Sequence, residues 1–224
     1  MIPRELLGTA QIPGGEGKLR LIRRGGDFMI VLDRNELMSS RMSGSEEALA
    51  EMTIDRMGNR PAPRLLIGGY GMGFTLRAAL AALPTDAKVT VAELVPEIIE
   101  WARGPMTTMT GACLDDQRLF LDIADVGVLI AEAEAYYDAI LLDVDNGPDG
   151  LTRKGNNGLY SRKGLAAARA ALKPGGILAI WSAAPDEKFK KAVGDAGFAV
   201  DEVAVRARQN GKGAKHVIWF AAKR

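Results

Sequence analysis

Residues 64–73, RLLIGGYGMG, decide the fold. A buried-looking β run, Arg64-Leu65-Leu66-Ile67, passes straight into Gly68-Gly69-Tyr70-Gly71-Met72-Gly73, and a helical stretch begins near Phe74. Glycine at such a turn lets the backbone bend sharply and lets a ligand approach both the chain and the start of the helix. A nucleotide-type ligand is expected there. A Gly-rich strand-to-helix turn also serves as a mere tight connection, so its surroundings have to decide.

Downstream, apolar runs of strand length alternate with helical stretches: KVTVAEL, PEIIEWARGPM, RLFLDIADV, YDAILLDVD and GLAAARAAL. Strands alternating with helices argue for a parallel sheet covered on both faces. GGILAIWSA and a helix around DEKFKKAVGDAGF follow, and then VDEVAVRAR and HVIWFAAK, joined by the Gly-rich QNGKGAK, which suits an antiparallel hairpin closing the sheet. Upstream, residues 7–33 alternate short β-prone runs with Gly-rich breaks and predict a small antiparallel element. Ser45 is a candidate N-cap, with Glu46 and Glu47 in the first turn of a connecting helix over ALAEMTIDRM. The chain divides into a β-element at 1–43 and an α/β Rossmann-like domain at 44–224.

The bulk numbers exclude several function classes. The chain has 224 residues, 47% hydrophobic and 25% charged, which suits one ordinary globular unit. With 29 Lys plus Arg against 28 Asp plus Glu, no global field draws nucleic acid or an anionic membrane. Cys113 is the single cysteine and His216 the single histidine, so neither a disulfide framework nor a zinc site is expected. No stretch has the length of a signal peptide or a membrane span, which predicts a cytoplasmic protein acting without metal on a small molecule.

Candidate site residues fall at strand ends, where open α/β sheets bind ligands. Glu93 ends KVTVAEL about twenty residues after the turn, where a carboxylate can accept from both ribose hydroxyls. Asp125-Val126 ends the next strand, where the carboxylate can accept from an adenine amine; a helix cap is the competing reading, and Asp122 lies too early in the strand. Asp143 and Asp145, followed by Asn146, end the fourth strand over the reacting centre. A carboxylate there can hold an amino group or deprotonate an attacking amine. Tyr160 and Trp181 could wall an acceptor pocket, although each also reads as a packing residue. Trp101 and Trp219 read as core, the four methionines Met38, Met42, Met52 and Met57 as filler, and His216 receives no role.

Taken together, FMIVLDR, IGGYGMGFTLR, AELVPEIIEWARGPM, LDDQRLFLDIADV, YDAILLDVDNGP and LYSRKGLAAARAALKPGGILAIW resemble the spermidine synthase-like branch of the S-adenosylmethionine-dependent methyltransferase superfamily. The resemblance covers most of the chain. It implies a class I methyltransferase fold, a mostly parallel seven-stranded sheet with a C-terminal antiparallel hairpin. It also implies a donor, S-adenosylmethionine or its decarboxylated form, held by Gly68 to Gly73, Glu93, Leu94, Asp125, Val126 and Asp143, and by analogy a homodimer. The chain departs from the family's aminopropyltransferases in several places. Tyr70, Gly71 and Met72 replace an acidic loop residue, Leu37 replaces a Gln, no Tyr-His pair follows in the helix, and Asp143-Val144-Asp145-Asn146 replaces DSSDP. The Gln expected after the fifth strand gives way to the region of Trp181-Ser182. Because binding a diamine needs acceptors at both ends, these losses favour a methyltransferase with Asp143 and Asp145 positioning a small-molecule amine or hydroxyl. An aminopropyltransferase with an atypical acceptor is the alternative, and a non-catalytic nucleotide-binding protein is the third reading.

Overall fold

In a computed structural model, residues 2–14, 17–144, 157–208 and 210–224 are described. The N-terminal β-prone runs form an antiparallel meander, β1 (Glu5–Gln11), β2 (Lys18–Arg24), β3 (Asp27–Leu32) and β4 (Asn35–Ser39), paired in sequence order. Leu19 and Leu21 of β2 turn inward between more exposed neighbours, the two-residue period of a strand with one face on a core. Leu21 and Ile30 belong to the same buried cluster as Ile67 and Val91, so the small sheet shares its core with the rest of the chain.

The connecting helix α1 (Gly44–Met57) starts two residues earlier than its capping pattern predicts. Ser43 precedes it without a side-chain cap, and the Gly44 N–H donates to the Ala207 carbonyl, so a tertiary contact fixes the helix start. Ser45 is therefore no N-cap, and its hydroxyl is used elsewhere.

The alternating segment gives β5 (Arg64–Gly68), α2 (Phe74–Ala82), β6 (Lys88–Glu93), α3 (Pro96–Arg103), α4 (Thr107–Thr110), a 3-10 turn at Gly111–Asp115, β7 (Leu119–Ile123), α5 (Val126–Glu132) and β8 (Tyr137–Leu142). After them come α6 (Asn157–Tyr160), α7 (Arg162–Ala171), β9 (Leu172–Ser182), α8 (Glu187–Asp195), β10 (Phe198–Arg206) and β11 (Lys215–Lys223). The seven-stranded sheet has the order β10-β11-β9-β8-β5-β6-β7. Strands β5 to β9 run parallel, whereas β11 pairs antiparallel with both β9 and β10. This is the Rossmann-like class I methyltransferase fold, and its closing hairpin lies where the sequence predicts it.

β8 is buried at every position, as a central strand covered on both faces must be. The chain order reverses between β5 and β8, since β6 and β7 extend the sheet one way and β9 the other. That reversal opens a crevice beyond the carboxyl ends of β5, β6 and β8. Among the described residues, no helix is long and apolar enough to cross a membrane.

Candidate active site

At the crevice three strand ends are stitched by backbone bonds. The Gly69 N–H donates to the Ala92 carbonyl at 2.9 Å, and the Asp143 N–H donates to the Gly68 carbonyl at 3.0 Å. Gly69 has φ +86°, and a Cβ there would stand 2.5 Å from the Asp143 carbonyl oxygen. Only glycine fits both the conformation and that approach.

Glu93, 5% exposed, fixes the turn from the other side. Its two oxygens accept the backbone N–H groups of Tyr70 and Val95, each at 2.9 Å. Burial pushes its pKa up, and these N–H donors pull the other way. The backbone N–H groups of Gly71 and Leu94 act on the carboxylate in the same direction, so the turn and the start of the next segment are both held by this one side chain.

The cavity beside it brings together Gly69, Gly71, Glu93, Leu94, Asp125, Val126 and Asp143. The small sheet supplies an apolar wall through Leu19, Ile30, Leu37 and Met38. Met38, read from sequence as filler, thus borders the cavity. Asp125 caps α5 by accepting the Gly127 N–H at 2.8 Å, and it also faces the cavity. Asp122 borders a separate cleft beside Phe120.

Four residues expected at the ligand are not among the cavity's lining. Gly68 ends β5 beneath Val126 and Leu142, and Gly73 precedes α2 with φ +76°. Met72 is 2% exposed within the core. The Tyr70 side chain, 4% exposed, lies with its hydroxyl 3.6 Å from the Cys113 sulfur in the 3-10 turn. Burial of an aromatic ring outweighs display toward a ligand here. Tyr70 contributes its backbone N–H to the Glu93 anchor instead of its ring.

Beyond the cavity Asp143 meets residues that the sequence did not single out for a site. The Thr75 hydroxyl donates to Asp143 Oδ2 at 3.1 Å. Glu46, in the first turn of α1, lies close enough for the Asp143 charge to act on it. Burial, then that charge, raises the Glu46 pKa to about 7 against the pull of the Ser45 hydroxyl. Burial also raises the Asp143 pKa, which Thr75 moderates. Among the described residues no Lys or Arg pairs with either acid. The Thr75 hydroxyl also lies 3.3 Å from the Glu46 carbonyl, so α1 and the end of β8 meet at this residue. Two neighbouring acids there without a counter-ion among the described residues can hold a cation or take a proton near neutral pH.

Of the other acceptor candidates, Asp145 and Asn146 lie outside the described residues. Tyr160 packs edge-on against Phe189 at 5.5 Å, in a buried cluster with Ile180 and Trp219. Trp181 stands edge-on to His216 at 4.7 Å, beyond the cavity rather than in its wall.

Comparison with known proteins agrees with this geometry. Residues 44–193 match the family described as "Spermine/spermidine synthase domain". The polyamine aminopropyltransferase of Nitrosomonas europaea is 30% identical over 125 residues, 56% of this chain and 36% of that protein. That of Mycobacterium tuberculosis is 27% identical over 166 residues, 73% of this chain and 30% of that protein. The match thus spans about a third of the length of these curated relatives. A solved spermidine synthase from Thermotoga maritima superposes with a TM-score of 0.77 at 18% identity, over 98% of this chain and 73% of that one. A spermidine synthase in complex with the transition-state analogue AdoDATO gives 0.76 at 19% identity, over 98% and 72%. At these identities the superpositions speak for the fold, and the family match runs from α1 through β9 and on into α8. By that match the chain belongs to the spermine/spermidine synthase domain family.

Proposed function

We propose that this protein transfers an aminopropyl group from decarboxylated S-adenosylmethionine to a small-molecule amine. The two acids that meet at Thr75, Glu46 and Asp143, without a cationic partner among the described residues, carry this reading. With the ribose on Glu93 and the adenine beside Asp125 and Val126, the donor's sulfonium and its chain extend toward Asp143. The decarboxylated donor ends there in an ammonium. The intact donor would add a carboxylate, and two like charges about 4 Å apart repel by roughly 4 kcal/mol at an effective dielectric of 20. Family membership and the names of the matched relatives likewise favour aminopropyl over methyl transfer, although the lost motif residues favour methyl transfer in the sequence alone.

The chemistry asks little covalent help from the protein. A sulfonium is already a good leaving group, so alignment and deprotonation of the attacking amine are what remain to be supplied. Glu93 and the turn fix the nucleoside, Asp143 stands at the reacting end, and the acid pair suits a cationic amine. Leu37 and Met38 give the cavity an apolar wall, which favours an acceptor with a hydrocarbon portion over a compact polar one.

The test is side-by-side calorimetric binding of four nucleosides to the purified protein. Decarboxylated S-adenosylmethionine and methylthioadenosine should bind more tightly than S-adenosylmethionine and its demethylated product. The reverse preference would restore methyl transfer. Donor binding without methylthioadenosine release across a panel of amines would leave a nucleotide-binding protein that is not a catalyst.

A further inference from the structure

The hydrogen-bonded groups do not stop at the acid pair. Ser45, fully buried, has its Oγ 2.6 Å from Glu46 Oε2 and 2.9 Å from His216 Nδ1. His216 lies near the start of β11, is partly exposed, and is held edge-on by the Trp181 ring. The Trp181 indole N–H, in a residue 8% exposed, meets no acceptor among the described residues. Burial lowers the His216 pKa, so its imidazole is neutral at neutral pH, with one nitrogen protonated and the other bare.

Building on the aminopropyl reading, we propose that Ser45 and His216 form a proton relay, which carries to solvent the proton that an attacking amine gives up beside Glu46 and Asp143. In that reaction an ammonium loses one proton to the acid pair. Its freed lone pair attacks the carbon next to the sulfonium, the C–S bond breaks, and the sulfur keeps the bonding pair as a neutral thioether. The product amine carries the positive charge, so one proton per turnover must leave.

The chain has two self-consistent arrangements. With Glu46 ionised, Ser45 donates to Glu46 and accepts from His216 Nδ1–H. With Glu46 protonated, Glu46 donates to Ser45, Ser45 donates to a bare Nδ1, and His216 carries its proton on Nε2. Loss of the Nε2 proton to solvent, with one proton moving along each link, restores the first arrangement and the Glu46 carboxylate. Ser45 from α1, Trp181 from β9 and Val205 from β10 face His216, and Glu46 reaches it only through Ser45. Asp143 at the end of β8 and Glu47 on the same helix face Glu46. No fixed cation among these groups pins either arrangement.

His216 is the only histidine, so 15N labelling of histidine yields a spectrum with one imidazole. In the ligand-free protein its proton should pass from Nδ1 to Nε2 as pH falls through the Glu46 titration near 7, and S45A should abolish that coupling. One unchanging tautomer in the wild type, or an unaltered switch in S45A, would overturn the relay whatever the protein catalyses. In turnover assays, S45A and H216A should each lose about tenfold in kcat with donor KM unchanged. Added imidazole should restore H216A and not S45A. Full turnover in both variants would also overturn the relay, whereas a wild type that never releases methylthioadenosine would overturn the aminopropyl reading and leave the tautomer experiment decisive for the relay.

Discussion

Strand β8 carries an aspartate near its start and another just past its end, and the two live in opposite surroundings. Asp138, 3% exposed, accepts from Lys173 at 2.6 Å, Arg60 at 3.1 Å and the Arg64 backbone N–H at 2.8 Å. Burial alone would raise its pKa, but these partners hold it below the usual carboxylate value. Asp143, at the other end, has the Thr75 hydroxyl and a neighbouring acid, and its pKa rises to about 6. At one end of the strand the charge is used to hold the sheet together, and at the other it has no cationic partner among the described residues. The residue type is the same, and among the described residues the supply of cations differs.

Breaking that contrast should take different measurements at the two ends. The largest stability effect is expected from D138A, which strands Arg60 and Lys173 beside a buried gap. A loss of about 3–5 kcal/mol is expected, which lowers Tm by roughly 10 °C in a chain of this size. D143N should leave Tm unchanged or higher, because it removes a buried uncompensated charge, while kcat falls by about a hundredfold. A D143N protein that melts early but turns over normally would reverse the assignment of the two ends.

The pH dependence of stability sharpens the contrast, because the two ends have opposite signs. Glu46 and Asp143 have folded pKa values raised from 4.5 and 3.8 to about 7 and about 6, so the stability they contribute is present below about pH 4 and is lost as pH rises to 7. Asp138 has a lowered folded pKa, so its contribution is present above its unfolded value and is lost as pH falls through the folded one. Calorimetric melts from pH 4 to 8 should therefore show E46Q/D143N gaining on the wild type as pH rises. Parallel curves would mean that the two acids are not strained by their burial. The smallest effect is expected at Asp125, where D125A removes a helix cap worth about 1 kcal/mol and should weaken donor binding severalfold by calorimetry; undiminished binding would limit Asp125 to capping.

The parts of the site legible in the sequence are those built from local signals. The run 64–73 shows strand, glycine turn and helix in one window, and Glu93 follows at the end of the next strand. Both cues follow from backbone geometry that neighbouring residues impose. Ser45, Glu46 and His216 carry no such cue. Ser45 and Glu46 look like an ordinary helix start, and His216 meets Ser45 across 171 positions of chain. Tyr70 misleads for a related reason, since its fate depends on Cys113, 43 residues away in a turn that has no clear pattern. Leu37 and Met38 reach the cavity because a four-stranded sheet folds over the crevice, which the β pattern alone does not place.

The insertion of β11 between β9 and β10 has a temporal consequence. A ribosome adding about 5–20 residues per second needs roughly 10–30 s to travel from Ser45 to His216. For all of that interval the first helix can be made and its glutamate exposed, yet the imidazole that Ser45 meets in the finished fold does not exist. A nascent chain can thus acquire the glycine turn early, while the Ser45–His216 contact waits until the strand carrying His216 slides into the sheet.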